Sequence, residues 1–324
     1  MHIDLPEARI SLDGSSGNAD FVFISHAHSD HIKGARGKNI ITSEETAKII
    51  EAREKIGLKR SSEGKFEMLD AGHILGSKQL FIDSSIGYSI LYTGDYQLQK
   101  SCVAPAIEPR QADILIIDST YPYLNVKFDE RSEVEEAIRK YITLKLEKGI
   151  VLFSAYSLGK AQELVKIINS IGIVPVVDKK ISQVNKIYNE YGMGLRYASF
   201  YDNEDEFNEI VKRNFVGIVS TRSIRELARS VGIAYGKKVF TAIATGFAKM
   251  FRFETDVQFG LSDHADIYQA LEYISIVNPK IIYTSGSNSH LMAENLKKFG
   301  YNATPFAGLS MLELAYNNAR LMSL

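Results

Sequence analysis

The feature that constrains this chain most is a cluster of polar side chains directly after a short apolar run. The run is Phe21-Val22-Phe23-Ile24, and the segment that follows it reads Ser25-His26-Ala27-His28-Ser29-Asp30-His31. Imidazoles and carboxylates are the ligands that Zn²⁺ prefers where cysteine is absent. A purely structural loop would gain nothing from three histidines whose ring nitrogens each need a partner. The segment therefore predicts a metal site that could grip two adjacent divalent ions.

Two further candidate ligands stand where the chain turns. His73 lies between two glycines in Gly72-His73-Ile74-Leu75-Gly76, where the backbone can approach closely. Asp95 follows Tyr92-Thr93-Gly94, just past the end of a predicted strand over 89–92. Taken alone, each is more often a turn residue. Beside the first cluster, both become candidate members of the same site.

Asp118 and His264 extend the set. Asp118 follows four consecutive apolar residues, so we expect it at the same sheet edge as Asp95. His264 directly precedes a predicted helix, and a plain reading makes it a linker residue before the N-cap Asp266. Residues alone do not decide between that reading and a role in the site.

The order of predicted elements indicates an α/β protein in two parts. Short apolar runs dominate up to Asp118, and only Glu44 to Ile56 predicts a helix there. After Tyr121, strands alternate with helices, beginning with a helix whose predicted capping box is Ser132-x-x-Glu135. Such alternation predicts a parallel sheet covered by helices. We therefore expect one β-rich domain formed by 1–120 and 256–324, interrupted by an α/β insertion at 121–255.

Composition narrows the possible environments. A formal charge of −1 over 324 residues argues against binding of a polyanion over the whole surface of the protein. The net charge does not exclude a local basic cleft. The single cysteine, Cys102, excludes an internal disulfide and a thiolate zinc site. No signal-peptide pattern and no membrane-length apolar run is visible, so we expect a cytoplasmic protein with no membrane partner. Dense interleaving of basic and aromatic residues, as used for base stacking, is not visible either.

The motifs resemble the β-CASP branch of the metallo-β-lactamase superfamily, which are nucleases of RNA and DNA. His26, His28, Asp30 and His31 match the signature loop of the superfamily. The remaining matches are His73, Asp95, Asp118 and His264, together with the strand-loop-helix from Phe153 to Glu163. The resemblance covers nearly the whole chain and implies an αββα sandwich with an inserted β-CASP domain, a parallel sheet flanked by helices. It is greatest to mRNA 3′-end processing factor-like proteins of archaea and bacteria and to exonucleases associated with DNA ligase.

The resemblance also implies roles for individual residues. The metal ligands would be His26, His28, Asp30, His31, His73 and Asp95, holding two Zn²⁺ ions, with Mn²⁺ as an alternative. Asp30, Asp95, Asp118 and His264 would carry catalysis. Lys160, Lys249 and Arg252 would contact substrate phosphates in the crevice between the two domains, whereas the plain alternative for each is a solvated surface cation.

One position departs from the family pattern. RNA-cleaving members carry a third branch motif with a histidine that binds the second metal, and Ser285 stands at that position here. A serine hydroxyl is a far poorer zinc ligand than imidazole, so we expect weaker binding of the second ion. DNA-processing members of the Artemis type also lack this histidine, which leans the prediction towards DNA without deciding it.

The sequence thus predicts a metal-dependent hydrolase: a nuclease acting on RNA or DNA, single-stranded, through a metal-activated water, in RNA processing or DNA repair. A homodimer is expected only by analogy with the family. Two alternatives stay open. One is a thioesterase-type hydrolase of the same superfamily, which would not require Asp118 or His264. The other is a non-catalytic nucleic-acid-binding relative that lost the second metal through Ser285.

Overall fold

A computed structural model of the chain describes residues 1–15, 17–61, 66–84, 87–221 and 223–310. The chain forms two compact units. Unit 1 comprises Met1–Lys100, Ala104–Lys127 and His264–Leu324, and unit 2 comprises Ser101–Val103 and Phe128–Asp263. The division into a family-type domain and an insertion, with boundaries at 120 and 256, stays a prediction.

The described elements are as follows in chain order. The strands are β1 (His2–Asp4), β2 (Arg9–Leu12), β3 (Phe21–Phe23), β4 (Ile40–Ile41), β5 (Phe66–Asp70), β6 (Lys78–Asp83), β7 (Ser89–Tyr92), β8 (Ile114–Asp118), β9 (Ile150–Ser154), β10 (Val176–Val177), β11 (Val216–Val219), β12 (Val239–Ala244), β13 (Val257–Phe259), β14 (Ile281–Ser285) and β15 (Ala303–Pro305). The helices are α1 (Glu44–Glu54), α2 (Arg131–Leu146), α3 (Lys160–Asn169), α4 (Lys179–Glu190), α5 (Glu204–Val211), α6 (Ile224–Tyr235), α7 (Ile267–Val277) and α8 (Ser289–Lys298), with a short 3-10 helix at Gly246–Lys249.

Unit 1 contains two sheets. The first has four strands in the order β1-β2-β3-β4, of which β1 and β2 are antiparallel and the others parallel. The second has six strands in the order β15-β14-β8-β7-β6-β5, antiparallel from β5 to β7 and parallel from β7 to β15. The protein is therefore α/β, with mixed sheets in this unit.

Strand β8 shows how the layers of unit 1 are held together. Ile114 and Ile116 pack in one core with side chains of the four-stranded sheet, such as Phe23. Leu115 and Ile117 point the other way, into a core shared with α7 and α8. Side chains alternate across a strand, so a strand buried on both faces needs an unbroken apolar run. This explains the four apolar residues before Asp118.

Unit 2 is built on a five-stranded parallel sheet in the order β10-β11-β9-β12-β13. Its strands alternate with helices α3 to α6, as the sequence predicted. One face carries a core in which Ile150, Leu152 and Phe215 pack with Ile224 of α6. All strands run the same way, so the loops after their carboxyl ends gather at one edge of the sheet.

Several helix starts differ from the sequence-based expectation. The capping box at Ser132 is wrong: α2 begins at Arg131, and its N-cap Glu130 makes no side-chain cap hydrogen bond. Helix α5 was not predicted. The start of the helix expected at 222–231 lies outside the described residues, and α6 begins at Ile224. The predicted N-cap of α7 is confirmed, since the Asp266 carboxylate accepts from two backbone N–H groups.

None of the helices in the described part of the chain combines the length and apolar composition that a membrane span requires.

Candidate metal centre

The histidines of the first loop and His73 converge in unit 1. His26 Nε2 lies 3.0 Å from His28 Nδ1, which lies 3.1 Å from His73 Nε2. Ligand atoms of these three residues and of Asp95 all lie within 4.8 Å of one another. His26 and His73 are buried, whereas His28 is half-buried. The structure thus brings together four of the six predicted metal ligands in one compact group.

Glycines allow the chain to approach this group closely. Gly72 has φ +76°, and a Cβ there would lie 2.3 Å from the carbonyl oxygen of Gln97. Gly94 has φ +55°, and its Cβ would lie 2.6 Å from the Cβ of Ser25. Both positions therefore need glycine, for conformation and for space. Gly72 thus brings the segment of His73 against the segment after Asp95, and Gly94 brings the segment of Asp95 against the loop that follows β3.

Asp95 occupies the middle of the cluster. Its Oδ2 lies 3.4 Å from Nε2 of both His26 and His31. The same oxygen lies 3.7 Å from His73 Nε2 and 3.9 Å from His264 Nε2. One carboxylate oxygen thus lies close to four imidazole nitrogens, as a carboxylate that bridges two metal ions would.

The other two predicted ligands, Asp30 and His31, lie close to each other. Asp30 Oδ2 is 3.7 Å from His31 Nε2, and the Asp30 side chain is 76% exposed. Asp30 and His31 are the pair expected to hold the second ion together with Asp95.

Asp13 is a member of the site that the sequence did not reveal. Its buried carboxylate accepts hydrogen bonds from Ser25 N–H (2.7 Å), Ser25 Oγ (2.6 Å) and Tyr92 OH (2.7 Å). It also contacts His31 Nδ1 at 2.8 Å. Asp13 directly follows β2, and its backbone φ is +48°. The available signal was an Asp-Gly pair at a strand end, which reads as an ordinary turn.

His264 and Asp118 form a second pair beside Asp95. His264 Nδ1 lies 3.0 Å from Asp118 Oδ2, so its Nε2 faces the central carboxylate. Asp118 Oδ1 accepts from the N–H and hydroxyl of Thr120. The expectation that Asp118 and Asp95 emerge at one sheet edge agrees with these contacts. Ser285 is opposite Asp118 in register, and its hydroxyl donates to the Ile117 carbonyl at 3.1 Å.

Burial and neighbouring charges shift the pKa values of these groups, in some cases in opposite directions. Burial, with the neighbouring imidazoles, lowers the pKa of His26 well below its usual value. Burial would also lower the pKa of His31, but the carboxylates of Asp95 and Asp13 outweigh it and raise this pKa to about 10. Burial raises the pKa of Asp95 to about 6, against the opposing effect of His31 and His264. Several carboxylates thus surround the imidazoles, which favours cations at this place.

The hydrogen bonds that hold the histidine rings in place are those expected at a metal site. His26 Nδ1 contacts Ser25 Oγ at 2.9 Å, while His31 and His264 Nδ1 contact the carboxylates of Asp13 and Asp118. In each case Nε2 is left directed at the cluster. Histidine ligands of metals have this arrangement, in which an outer oxygen fixes the ring and its tautomer.

The three predicted phosphate contacts all lie in unit 2, in different settings. Lys160 is buried, and its ammonium binds Asp263 (2.7 Å) and Glu163 (3.0 Å). Burial lowers the pKa of Lys160 to about 8, although Asp263 opposes this. Because two carboxylates take up its ammonium, the contacts of Lys160 give a phosphate contact no support. Lys249 pairs with Asp129 at 2.5 Å, and Arg252 is exposed.

A mixed-sheet α/β unit with a histidine and aspartate cluster at its strand ends is consistent with the metallo-β-lactamase fold. No protein-family model matches the chain. The chain is 28% identical over 315 residues to a probable DNA ligase of Opitutus terrae, covering 92% of this chain and 30% of that protein. It is 37% identical over 133 residues to an uncharacterized protein in the lig 3′ region of Acidianus ambivalens, covering 40% and 90%.

A third relative carries a nuclease name. The probable RNase MJ4 of Methanocaldococcus jannaschii is 27% identical over 269 residues, covering 68% of this chain and 61% of that protein. The chain therefore spans less than a third of the ligase relative and about three fifths of this RNase. These relatives and the motif residues point to the β-CASP branch of the metallo-β-lactamase superfamily, and to its mRNA 3′-end processing-like members.

Proposed function

We propose that this protein is a zinc-dependent nuclease that hydrolyses phosphodiester bonds of single-stranded RNA or DNA. The observation that carries the proposal is the position of Asp95 Oδ2 between the imidazoles of His26, His31, His73 and His264. Names of relatives support it, since one is a probable RNase and another a probable DNA ligase. Unit 1 would then be the αββα domain of the family, and 121–255 its inserted β-CASP domain.

The ligand sets would be those that the family resemblance implies, and the short distances within the cluster support them. His26, His28 and His73 would hold one ion, Asp30 and His31 the other, with Asp95 bridging. Bound Zn²⁺ lowers the pKa of a coordinated water to near neutrality and offsets charge on the phosphoryl oxygens. Because the Ser285 hydroxyl is committed to a backbone carbonyl, the second set has only three protein ligands and should bind more weakly.

His264 and Asp118 supply the proton transfer. Asp118 accepts from Nδ1 of His264 and so holds the ring in one orientation, with Nε2 towards the centre. In the protonated state, Nε2 can donate to the leaving oxygen or to the scissile phosphate, a charge-assisted hydrogen bond. Products would carry a 5′ phosphate. A thioesterase would have no use for this pair, so its presence favours the nuclease.

The test is cleavage of labelled single-stranded RNA and DNA by purified protein in Zn²⁺ or Mn²⁺. Asp95→Ala should abolish cleavage and lower the bound metal count measured by elemental analysis. His264→Ala should keep the metal and lower kcat about 10²- to 10⁴-fold, the usual contribution of a positioned general acid.

Matched controls are Asp83→Ala and His290→Ala, which remove exposed residues of the same types. Both should leave cleavage unchanged. Cleavage that survives in Asp95→Ala, or hydrolysis of thioesters without any nuclease activity, would contradict the proposal. Single-nucleotide products would indicate an exonuclease and internal fragments an endonuclease.

A further inference from the structure

Unit 2 contains a cavity that the proposed chemistry does not use. Its volume is about 610 Å³, within the range of small-molecule sites. It lies where β9, β11 and β12 end, with walls that include Ser154, Ser220 and Ala244. In open parallel sheets, ligands bind outside the carboxyl ends of the strands. The location is therefore that of a binding site.

Aromatic side chains line this cavity from separate parts of the chain. Tyr156 comes from the loop after β9, and Phe247, Phe251 and Phe253 come from the segment after β12. Tyr156 is 62% exposed and Phe251 is 55% exposed. The rings of Phe247 and Phe251 are 6.1 Å apart at an interplanar angle of 33°. Several exposed aromatic rings grouped around one cavity mark a candidate binding surface.

The polar walls are fixed by contacts within the protein. The Ser154 hydroxyl donates to the Thr221 carbonyl at 2.6 Å, and the Ser220 hydroxyl donates to Asp178 at 2.6 Å. Thr245 Oγ1 accepts from the Phe247 N–H at 3.3 Å. These three hydroxyl groups are engaged within the protein and shape the cavity. Two exposed charged residues also line it: Lys180, in the first turn of α4, and Glu254.

We infer that this cavity binds an unpaired nucleobase of the nucleic-acid strand, stacked on Phe251 and Tyr156, with Lys180 near the adjoining phosphate. The inference rests on the proposed nuclease function, because that function supplies the strand. An aromatic platform with one cation matches single-stranded nucleic acid, since every base has a π-face and every linkage a negative charge. Such binding should be tolerant of sequence.

The experiment is fluorescence anisotropy with a labelled single-stranded oligo-dT, using the Asp95→Ala protein so that the strand is not cut. Adding Phe251→Ala should weaken binding about 5- to 100-fold, the effect of losing one base-aromatic stack. Phe251→Tyr keeps a ring and should bind as the parent does. Ile233→Ala, which removes a side chain that is 85% exposed on α6, is the matched control and should have no effect.

An abasic strand of equal length separates stacking from backbone binding. Phe251→Ala should not change its affinity. Equal affinity of the parent and Phe251→Ala for oligo-dT would overturn the inference, as would equal losses for both strands. A cavity that takes a protein segment would give the first of these results.

Hydrolysis of bis(p-nitrophenyl) phosphate, which offers no nucleobase, tests the metal chemistry separately. Wild-type protein and Ile233→Ala should hydrolyse it equally in Zn²⁺ or Mn²⁺. If both do so while Phe251→Ala binds oligo-dT normally, the base-binding inference fails and the nuclease proposal stands. If neither does so while the stacking effect is present, the nuclease proposal fails and the base-binding site stands.

Discussion

Replacing Asp13 by Asn should weaken metal binding without disturbing the backbone. Asparagine adopts positive φ more readily than most residues, so the value of +48° at this position is tolerated. The carboxylate oxygen Oδ2 accepts from Ser25 Oγ and Tyr92 OH and contacts His31 Nδ1 at 2.8 Å. The other oxygen, Oδ1, accepts from the Ser25 N–H.

The expected loss of stability follows from the number of hydrogen bonds that the Asp13 carboxylate accepts. An amide has one acceptor oxygen, so an Asn side chain leaves either the Ser25 N–H or the groups on the Oδ2 side facing an NH₂ group. One buried donor without an acceptor costs about 1–3 kcal/mol of unfolding free energy. Loss of the carboxylate behind His31 should in addition lower metal affinity about 10- to 100-fold, as outer-shell changes do.

The assay is competition for Zn²⁺ against a chromophoric chelator, together with chemical denaturation of the metal-free protein. Tyr92→Phe is the matched control, because it removes one donor to Asp13 and keeps the contact between Asp13 and His31. It should lower stability and leave metal affinity within a few-fold. Wild-type affinity in Asp13→Asn, or an equal loss in Tyr92→Phe, would refute the reasoning.

Two stability predictions concern other buried contacts. Glu163→Gln removes a carboxylate that pairs with the buried cations of Arg131 and Lys160, and should reduce the unfolding free energy by about 3–5 kcal/mol. Its control, Lys140→Ala, breaks an exposed ion pair with Glu136 and should cost less than about 1 kcal/mol. Urea denaturation measures both, and similar values would contradict the burial argument. Gly94→Ala places a methyl group 2.6 Å from the Ser25 Cβ and should lower both Tm and bound metal. Gly192→Ala, with φ +80° and open space around it, should lower Tm slightly and leave the metal count unchanged.

Much of the candidate site could be predicted because its residues follow strands. Asp118 ends the apolar run of β8 and Asp95 lies just past the end of β7, and the ends of neighbouring parallel strands meet at one sheet edge. The loop from His26 to His31 needed no tertiary information, since its spacing alone indicates a metal site. The parallel sheet of unit 2 followed in the same way from the alternation of strands and helices.

Asp13, Lys160 and the aromatic cavity could not be predicted, and the reason is common to them. Each depends on residues far apart in the chain: Asp13 contacts Tyr92, Lys160 contacts Asp263, and the cavity is lined by both Tyr156 and Phe251. The local pattern of apolar and polar residues determines where each strand begins and ends. The contacts of a side chain in the folded protein depend on packing between distant segments. Asp13, which the sequence presents as a turn residue, therefore contacts His31. Lys160, expected to contact phosphate, pairs with buried carboxylates. The sequence by itself determined the chemistry of the candidate metal ligands and the order of the elements. Only the tertiary structure decided which charges are paired and which surfaces stay open to solvent, because both depend on packing between distant segments.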